Sequence, residues 1–286
     1  MINIQHVTKT YNNDKVVDDV SFQIKEGECT ALIGPNGAGK STLIDMIIGD
    51  RHPNSGTIES NMNQLDKKRM GILFQLSAFP DVMKVKELFM LYKSFYTNTI
   101  SIEYFKEITR FNDRKMEQFA TKLSGGERRI LDFALAIVGN PDFVILDEPT
   151  SAMDTEMRKH FWKVIEKMKS EGKTIFYTSH YIEEVERMAD RVVVLNKGKL
   201  MIDSTPRAIR HNENKTNIQI PVTYKNILNQ IENVEIEEMK DVIKIITSDV
   251  NPVIQKFLAL QIDFNEVEIT KESLMDTIFS NDEERI

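Results

Sequence analysis

The stretch Gly34-Pro35-Asn36-Gly37-Ala38-Gly39-Lys40-Ser41-Thr42 carries residue types that handle phosphate. It fits the pattern G-x-x-x-x-G-K-[ST]. Glycines let backbone N–H groups turn inward around a polyphosphate, because no Cβ blocks the approach. Lys40 supplies a point cation for β- and γ-phosphates, and the Ser41 hydroxyl is a ligand for Mg²⁺. A second chemical pair, Asp147-Glu148, follows the apolar run Phe143-Val144-Ile145-Leu146. Such a run reads as a central parallel strand, and α/β sheets place their ligands at the C-terminal strand edge.

These groups need elements to hold them. Thr30-Ala31-Leu32-Ile33 reads as a buried strand before the phosphate loop. Leu43, Ile44, Ile47 and Ile48 then recur at helical spacing up to Gly49, so the loop is expected to open a helix aimed at the phosphates. Residues 2–8 and 20–24 read as strands around a turn at Asn12-Asn13-Asp14, with Tyr11 at the end of the first. Thr57-Ile58 and Met70–Phe74 read as further strands, and Gln75 follows the latter. Residues 84–121 are expected to be mostly helical, with Leu88, Leu91, Tyr92 and Phe95 on one apolar face toward the core or a partner. Ser124 with Glu127 three residues on predicts a helix start, and Ile130, Phe133, Ala134, Ile137 and Val138 form one apolar face behind it. A helix over 155–170, a strand at Thr174–Thr178 before His180, another helix, and a strand at Val192–Leu195 complete a βα alternation. That alternation predicts a mainly parallel sheet.

Near 205–216 the composition turns Asn/Lys/Arg-rich, which reads as a linker. Beyond it the sequence predicts strand 218–223, helix 224–231, strands near 234–239 and 242–247, helix 251–260, strand 263–269 and a last helix at 272–279. The order suggests a small ferredoxin-like α+β domain. The expected division is therefore a domain at 1–210 that carries the phosphate loop and an accessory or regulatory domain at 211–286.

Composition narrows the class. With 286 residues, 41% apolar and 28% charged, the chain fits a globular protein of one large domain, or of one plus a small one. No run of eighteen apolar residues exists, so no membrane span is expected and the N-terminus does not read as a secretory signal. A single cysteine, Cys29, excludes an internal disulfide and reads as a small core residue in a reducing cytosol. The net charge of −7 is uneven: residues 217–286 hold 6 Lys/Arg against 14 Asp/Glu, and the first 216 hold 31 against 30. That balance argues against a nucleic-acid partner.

Five spaced motifs agree with one another: the phosphate loop, Gln75, Leu123-Ser124-Gly125-Gly126-Glu127, Phe143–Glu148 with Ser151-Ala152-Met153-Asp154, and His180. Their set and order over about residues 1–205 resemble the ATP-binding subunits of ABC transporters. The resemblance implies a P-loop ATPase of α/β class with an antiparallel N-terminal β subdomain. It implies ATP and Mg²⁺ as ligands, and a head-to-tail homodimer, or a heterodimer with a related ATPase. Each of two composite ATP sites would take its phosphate loop from one subunit and Ser124, Gly125 and Gly126 from the other. Asp147 suits Mg²⁺ and its waters, and Glu148 suits the base that polarises the attacking water. Gln75 is implied to sense Mg²⁺ and water, His180 to contact the γ-phosphate, Tyr11 to stack on adenine, and Asp154 to link the two sites. Two departures stand out: Glu127 where the family most often has Gln, and Met153 where it has Leu.

The resemblance further implies a separate transmembrane permease subunit and a place on the inner face of the cell membrane. The segment Glu272–Phe279 is similar to the close of many bacterial export-type subunits, so export of a drug, peptide or polysaccharide is the leading expectation. An importer ATPase and an ABC ATPase without a transporter are the alternatives. Only 83 residues separate Lys40 from Ser124, which leaves no room for the long coiled coil of chromosome-type members.

Overall fold

Asn12 and Asn13 take positive φ values of 46° and 74°, the left-handed pair that a tight two-residue hairpin needs. They join β1 (Ile2–Tyr11) to β2 (Asp14–Ile24), with Ile2 opposite Ile24 and Tyr11 opposite Asp14. In this computed structural model, residues 1–60, 69–75, 78–212, 216–231 and 234–271 are described. After the hairpin come β3 (Cys29–Ile33), α1 (Lys40–Ile47) and β4 (Ser55–Ser60). β4 pairs antiparallel with β1, giving a three-stranded sheet in the order β2-β1-β4.

The second sheet collects the predicted βα units. In chain order they are β5 (Met70–Leu73), α2 (Val85–Lys93), α3 (Ile102–Thr109), α4 (Asp113–Met116), α5 (Gly125–Ala136), β6 (Phe143–Leu146), α6 (Thr155–Ser170), β7 (Thr174–Thr178), α7 (Ile182–Met188), β8 (Arg191–Asn196) and β9 (Lys199–Ser204). The sheet runs β5-β6-β7-β3-β8-β9, parallel except for β9. Every residue of β3, β6 and β7 is buried, as expected for central strands covered on both faces. Full burial of each apolar side chain there contributes about 1.5–3 kcal/mol. Phe22 of β2 stacks on Phe176 of β7 at 6.2 Å, which ties the two sheets into one core. The order matters for the site: β5, β6, β7 and β3 are neighbours, so the segments leaving their C-terminal ends converge.

The helical segment differs from its expected face. Val85, Leu88 and Phe89 of α2 are buried, and Phe89 packs on Phe105 of α3 at 4.7 Å. Leu91, Tyr92 and Phe95 are 40%, 36% and 67% exposed, so only Leu88 of the predicted stripe faces the core. The reason is that α2 ends at Lys93, and its inward face is set by Val85, Leu88 and Phe89 instead. The predicted face of α5 is buried throughout, from Ile130 to Val138.

The chain divides into two compact units, Met1–Thr205 and a second beginning at Pro206. Where a linker was expected, α8 (Pro206–Asn212) forms. Proline suits a first helical position, and this local signal outweighs the Asn/Lys/Arg-rich composition. The second unit continues with β10 (Thr216–Pro221), a 3₁₀ segment at Val222–Gln230 in place of the expected α-helix, β11 (Glu235–Glu238), β12 (Val242–Thr247), α9 (Val250–Ala259) and β13 (Glu268–Lys271). Its sheet order is β11-β12-β10-β13, with every neighbour antiparallel. This is the split βαβ arrangement of a ferredoxin-like sheet. Ile218, Ile220, Ile243 and Ile245 form its core with Val253 and Phe257 of α9. β13 starts later than expected, because Asp263 first caps a 3₁₀ turn at Phe264–Glu266. The expected helix at 272–279 lies outside the described residues.

Candidate active site

The phosphate loop leaves β3 at Gly34, whose φ is +156°. A Cβ there would meet the Leu195 carbonyl at 2.2 Å, and one at Gly39, φ +101°, would meet the Val16 carbonyl at 2.4 Å. Both positions thus require glycine for space as well as for conformation. Pro35, Asn36 and Gly37 are exposed, whereas Ala38 is buried. α1 begins at Lys40 with no side-chain cap and no acidic residue in its first turn, which leaves its N-terminal N–H groups for an anion. Ser41 is exposed and Thr42 half-buried. Lys40 is buried, and its Nζ donates to the carbonyls of Gly34 (2.7 Å) and Pro35 (3.1 Å). Burial lowers its pKa, while Glu148 and Asp147 pull it back up. The ammonium is therefore held over the loop by two carbonyls.

The carboxylate pair sits one strand further along. The Asp147 N–H donates to the Leu73 carbonyl at 2.8 Å, which fixes the ends of β5 and β6 together. One hydroxyl organises both acids: Thr178 Oγ1 donates to Asp147 Oδ1 at 2.6 Å and accepts from the Glu148 N–H at 2.8 Å. Burial raises the Asp147 pKa; the Thr178 hydrogen bond opposes this, Glu148 adds to it, and Lys40 and Arg129 oppose it. Glu148 has φ of 47°, a left-handed conformation that costs a non-glycine residue about 1–3 kcal/mol and is found where a side chain must be aimed. Its carboxylate is held from two sides. His180 Nε2 lies 2.7 Å from Oε1, and Gln75 Nε2 donates to Oε2 at 3.3 Å. The structure thus brings Gln75, Glu148 and His180, named separately from the sequence, into one cluster at the ends of β5, β6 and β7.

Ser124 caps α5 by accepting from the Glu127 N–H at 3.2 Å, and Glu127 Oε2 accepts from the Ser124 N–H at 3.0 Å. This is the capping box read from the sequence. Gly125 and Gly126 lie against Ala152, where a Cβ would come within 3.6 and 3.2 Å respectively. Asp154 caps α6, its side chain accepting from the Met157 N–H at 2.8 Å. The Glu127 departure has a partner: Lys115 Nζ of α4 lies 2.6 Å from its Oε1. Burial works against the Glu127 charge, but Lys115 and the Ser124 N–H outweigh it and hold the carboxyl below its usual range. Met153 is buried, in keeping with its exchange for leucine. Among the described residues no hydrogen bond joins Leu123–Glu127 to Gly34–Thr42 of the same chain.

Tyr11 is half-buried. Its hydroxyl accepts from Arg51 Nη1 at 2.9 Å, and Arg51 Nε is 2.6 Å from Asp45 Oδ2 on α1. Lys9 Nζ lies 5.5 Å from the ring centroid. The ring is thereby tethered to the helix that carries the phosphate loop.

Sequence reasoning missed Thr178, Glu184 and Arg129. Arg129 is 5% exposed and lies on α5, directly behind the Ser124 cap. Its guanidinium donates to the carbonyls of Phe74 (2.6 Å), Asp147 (2.5 Å), Glu148 (2.9 Å), Pro149 (3.2 Å) and Gln75 (3.5 Å). Burial lowers its pKa, and Asp132, Asp147 and Glu148 oppose that. One side chain thus staples the backbone under Gln75 to the backbone under Glu148. The available signal was Arg129 four residues before Phe133, at the margin of an apolar helix face.

Among the described residues no group of three or more His, Cys, Asp or Glu is arranged to hold a metal. Asp147 and the Ser41 hydroxyl offer hard oxygens, the sparse donor set that suits an ion shared with phosphates.

The family model described as ABC transporter matches residues 17–151. A protein of Mesorhizobium japonicum called Nod factor export ATP-binding protein I is 34% identical over 214 residues, which are 71% of this chain and 63% of that relative, so the chain spans less than two thirds of it. The protein of the same name from Burkholderia orbicola is 32% identical over 222 residues, covering 74% of this chain and 73% of the relative. Among solved structures, a bacterial ABC transporter cassette in dimeric form shares the fold with a TM-score of 0.65 at 24% identity, over 72% of this chain and 99% of that one. The chain belongs to the ABC transporter family.

Proposed function

We propose that two copies of this chain, or one copy and a related ATPase, hydrolyse ATP at their interface and drive export through a separate membrane-spanning partner. The observation that carries the ATPase reading is the Glu148 carboxylate held between His180 (2.7 Å) and Gln75 (3.3 Å), in the same site as Lys40. Export rather than import is supported by the relatives' name, Nod factor export ATP-binding protein. No helix among the described residues is long and apolar enough to cross a membrane, in keeping with a partner that supplies the spans. Val82, Met90 and Phe95, on and beside α2, are exposed at 78%, 55% and 67% and are open to such a partner.

In this reading Lys40 and the N–H groups of Gly34–Thr42 bind the β- and γ-phosphates, and Tyr11 stacks on adenine. Asp147 and Ser41 would hold Mg²⁺, which neutralises phosphate charge when bound. Glu148 accepts a proton from the attacking water, whose oxygen bonds to the γ-phosphorus as the bond to the ADP oxygen breaks. His180 and Gln75 keep the Glu148 carboxylate aimed at that water. Ser124, Gly125 and Gly126 serve the ATP of the opposite subunit, and Asp154 lies where the two subunits' sites are linked. A cassette that shares this fold is dimeric, which supports the pairing of two subunits. The acidic second unit adjusts dimer geometry or regulates it, and its charge disfavours nucleic acid.

The Glu127–Lys115 pair bears on the composite site. A bare carboxylate at Glu127 would oppose the polyphosphate, and Lys115 neutralises it. Lys115→Ala is expected to raise the ATP concentration for half-maximal dimerisation about two- to fivefold, the range of a partly exposed ion pair. Adding Glu127→Gln should restore it. Titrating ATP while following dimer mass checks both.

The partner is tested by purifying the tagged full-length chain from detergent-solubilised membranes. Recovery of a stoichiometric multi-span protein that raises the ATPase rate is expected. Recovery of the chain from the membrane-free fraction alone, fully active, would contradict the transport reading.

A further inference from the structure

Glu184 of α7 is a carboxylate that is 7% exposed and takes no part in the chemistry above. Its Oε2 accepts two hydrogen bonds, from Thr150 Oγ1 at 3.0 Å and from Ser179 Oγ at 3.0 Å. Its Oε1 lies 3.4 Å from Arg158 Nε, and neither of these two atoms has a hydrogen-bond partner. The Arg158 guanidinium sits 4.0 Å over the Tyr181 ring, and the Tyr181 N–H donates to Ser179 Oγ at 2.9 Å.

The placement of these partners is what matters. Thr150 is two residues after Glu148, and Ser179 is the residue before His180. Arg158 lies one turn into α6, the helix capped by Asp154. A single buried carboxylate therefore bonds to the loop carrying the base and to the loop carrying the histidine that aims it. Burying a carboxylate is costly unless it is hydrogen-bonded and paired. The charge is stabilised by both hydroxyls on one oxygen and by the Arg158 guanidinium beside the other. Separating the two loops would remove a hydroxyl from the buried oxygen they share, so the network favours the arrangement in which Glu148 and His180 meet at 2.7 Å.

We infer that Glu184 is a positioning residue for hydrolysis, which holds the Glu148–Thr150 loop and the Ser179–His180 loop in one register. The inference rests on the proposed roles of Glu148 and His180. Chemistry of this kind is sensitive to placement: a shift of about 1 Å in a reacting group costs on the order of a hundredfold in rate. Glutamine at this position keeps a carbonyl oxygen that accepts from both hydroxyls, whereas alanine keeps none.

The test uses full-length protein carrying Glu184→Ala, Glu184→Gln, Ser179→Ala or Thr150→Val, with turnover normalised to the folded fraction from thermal melts. Glu184→Ala is expected to lower kcat about 10- to 100-fold with KM for ATP nearly unchanged, the signature of lost positioning rather than lost binding. Glu184→Gln should recover most of that loss. Glu184→Ala added to Glu148→Gln should cost almost nothing further, because groups acting as one unit are not additive. If Glu184→Ala fails to fold, Ser179→Ala and Thr150→Val carry the test, each expected to lower kcat several-fold at constant KM. An unchanged kcat per folded molecule, a Gln variant no better than Ala, or full additivity with Glu148→Gln would overturn the assignment. High turnover by Glu148→Gln itself would instead overturn the choice of base, and so separates the two failures.

Discussion

Replacing Glu148 by Gln is expected to lower ATP turnover by about two or more decades, the loss typical of a removed general base. Glutamine keeps the size of the side chain and an oxygen that His180 can reach at the 2.7 Å contact. It removes the basicity that accepts the proton from water. Lys40, Gly34–Thr42 and Tyr11 are untouched, so nucleotide affinity should stay close to that of the parent. The measurement is steady-state phosphate release beside equilibrium binding of a fluorescent ATP analogue. Near-parental turnover would remove Glu148 from its role, and lost binding would mean that its charge serves the phosphate loop instead.

The second large effect belongs to Arg129. Its guanidinium satisfies carbonyls at five residues on two loops, and it is almost fully buried. Each buried acceptor left unpaired costs about 1–3 kcal/mol. Arg129→Ala should therefore destabilise by about 3 kcal/mol or more, even if water reaches some of the carbonyls. For a unit of this size that lowers Tm by roughly 10 °C. Arg129→Lys keeps the charge but not the planar fork that spans both loops, so it should recover only part of the loss. Turnover should fall as well, because the backbone under Gln75 and Glu148 loses its common support. Thermal melts of the full-length variants, with rates per folded molecule, check both. A Tm within about 2 °C of the parent would mean that the five carbonyls find other donors.

The phosphate loop, Asp147, Glu148, Gln75 and His180 were legible because their chemistry demands particular residue types at strand ends, and β3, β5, β6 and β7 are marked by short apolar runs. Gly34 and Gly39 were legible for a related reason, since a side chain at either would strike a backbone carbonyl. Arg129, Thr178 and Glu184 were not legible. They act through main-chain carbonyls, an amide and neighbouring hydroxyls contributed by distant segments, and only the folded chain brings these together. The same limit explains the α2 stripe: periodicity placed Leu91 and Tyr92 with Leu88, but the neighbours that bury Val85 and Phe89 chose a different face. At 205–216 composition suggested a linker, and Pro206 starts a helix instead. The close of the chain that suggested export, Glu272–Phe279, lies outside the described residues, so that reading now leans on the relatives alone.

In the proposed arrangement ATP is held between two subunits, with Glu148 of one site and the Ser124–Gly126 segment of the opposite chain acting together. The most direct test is the solution mass of the Glu148→Gln protein with Mg²⁺ and ATP, by sedimentation or light scattering, beside the same protein also carrying Gly126→Asp. ATP is expected to convert the 33.0 kDa chain into a stable dimer in the first case. No ATP-driven dimer is expected in the second, where a carboxylate is placed beside the Ser124 cap. A mass that ATP leaves unchanged in Glu148→Gln, or an equal ATP-driven dimer with Gly126→Asp present, would rule the shared site out.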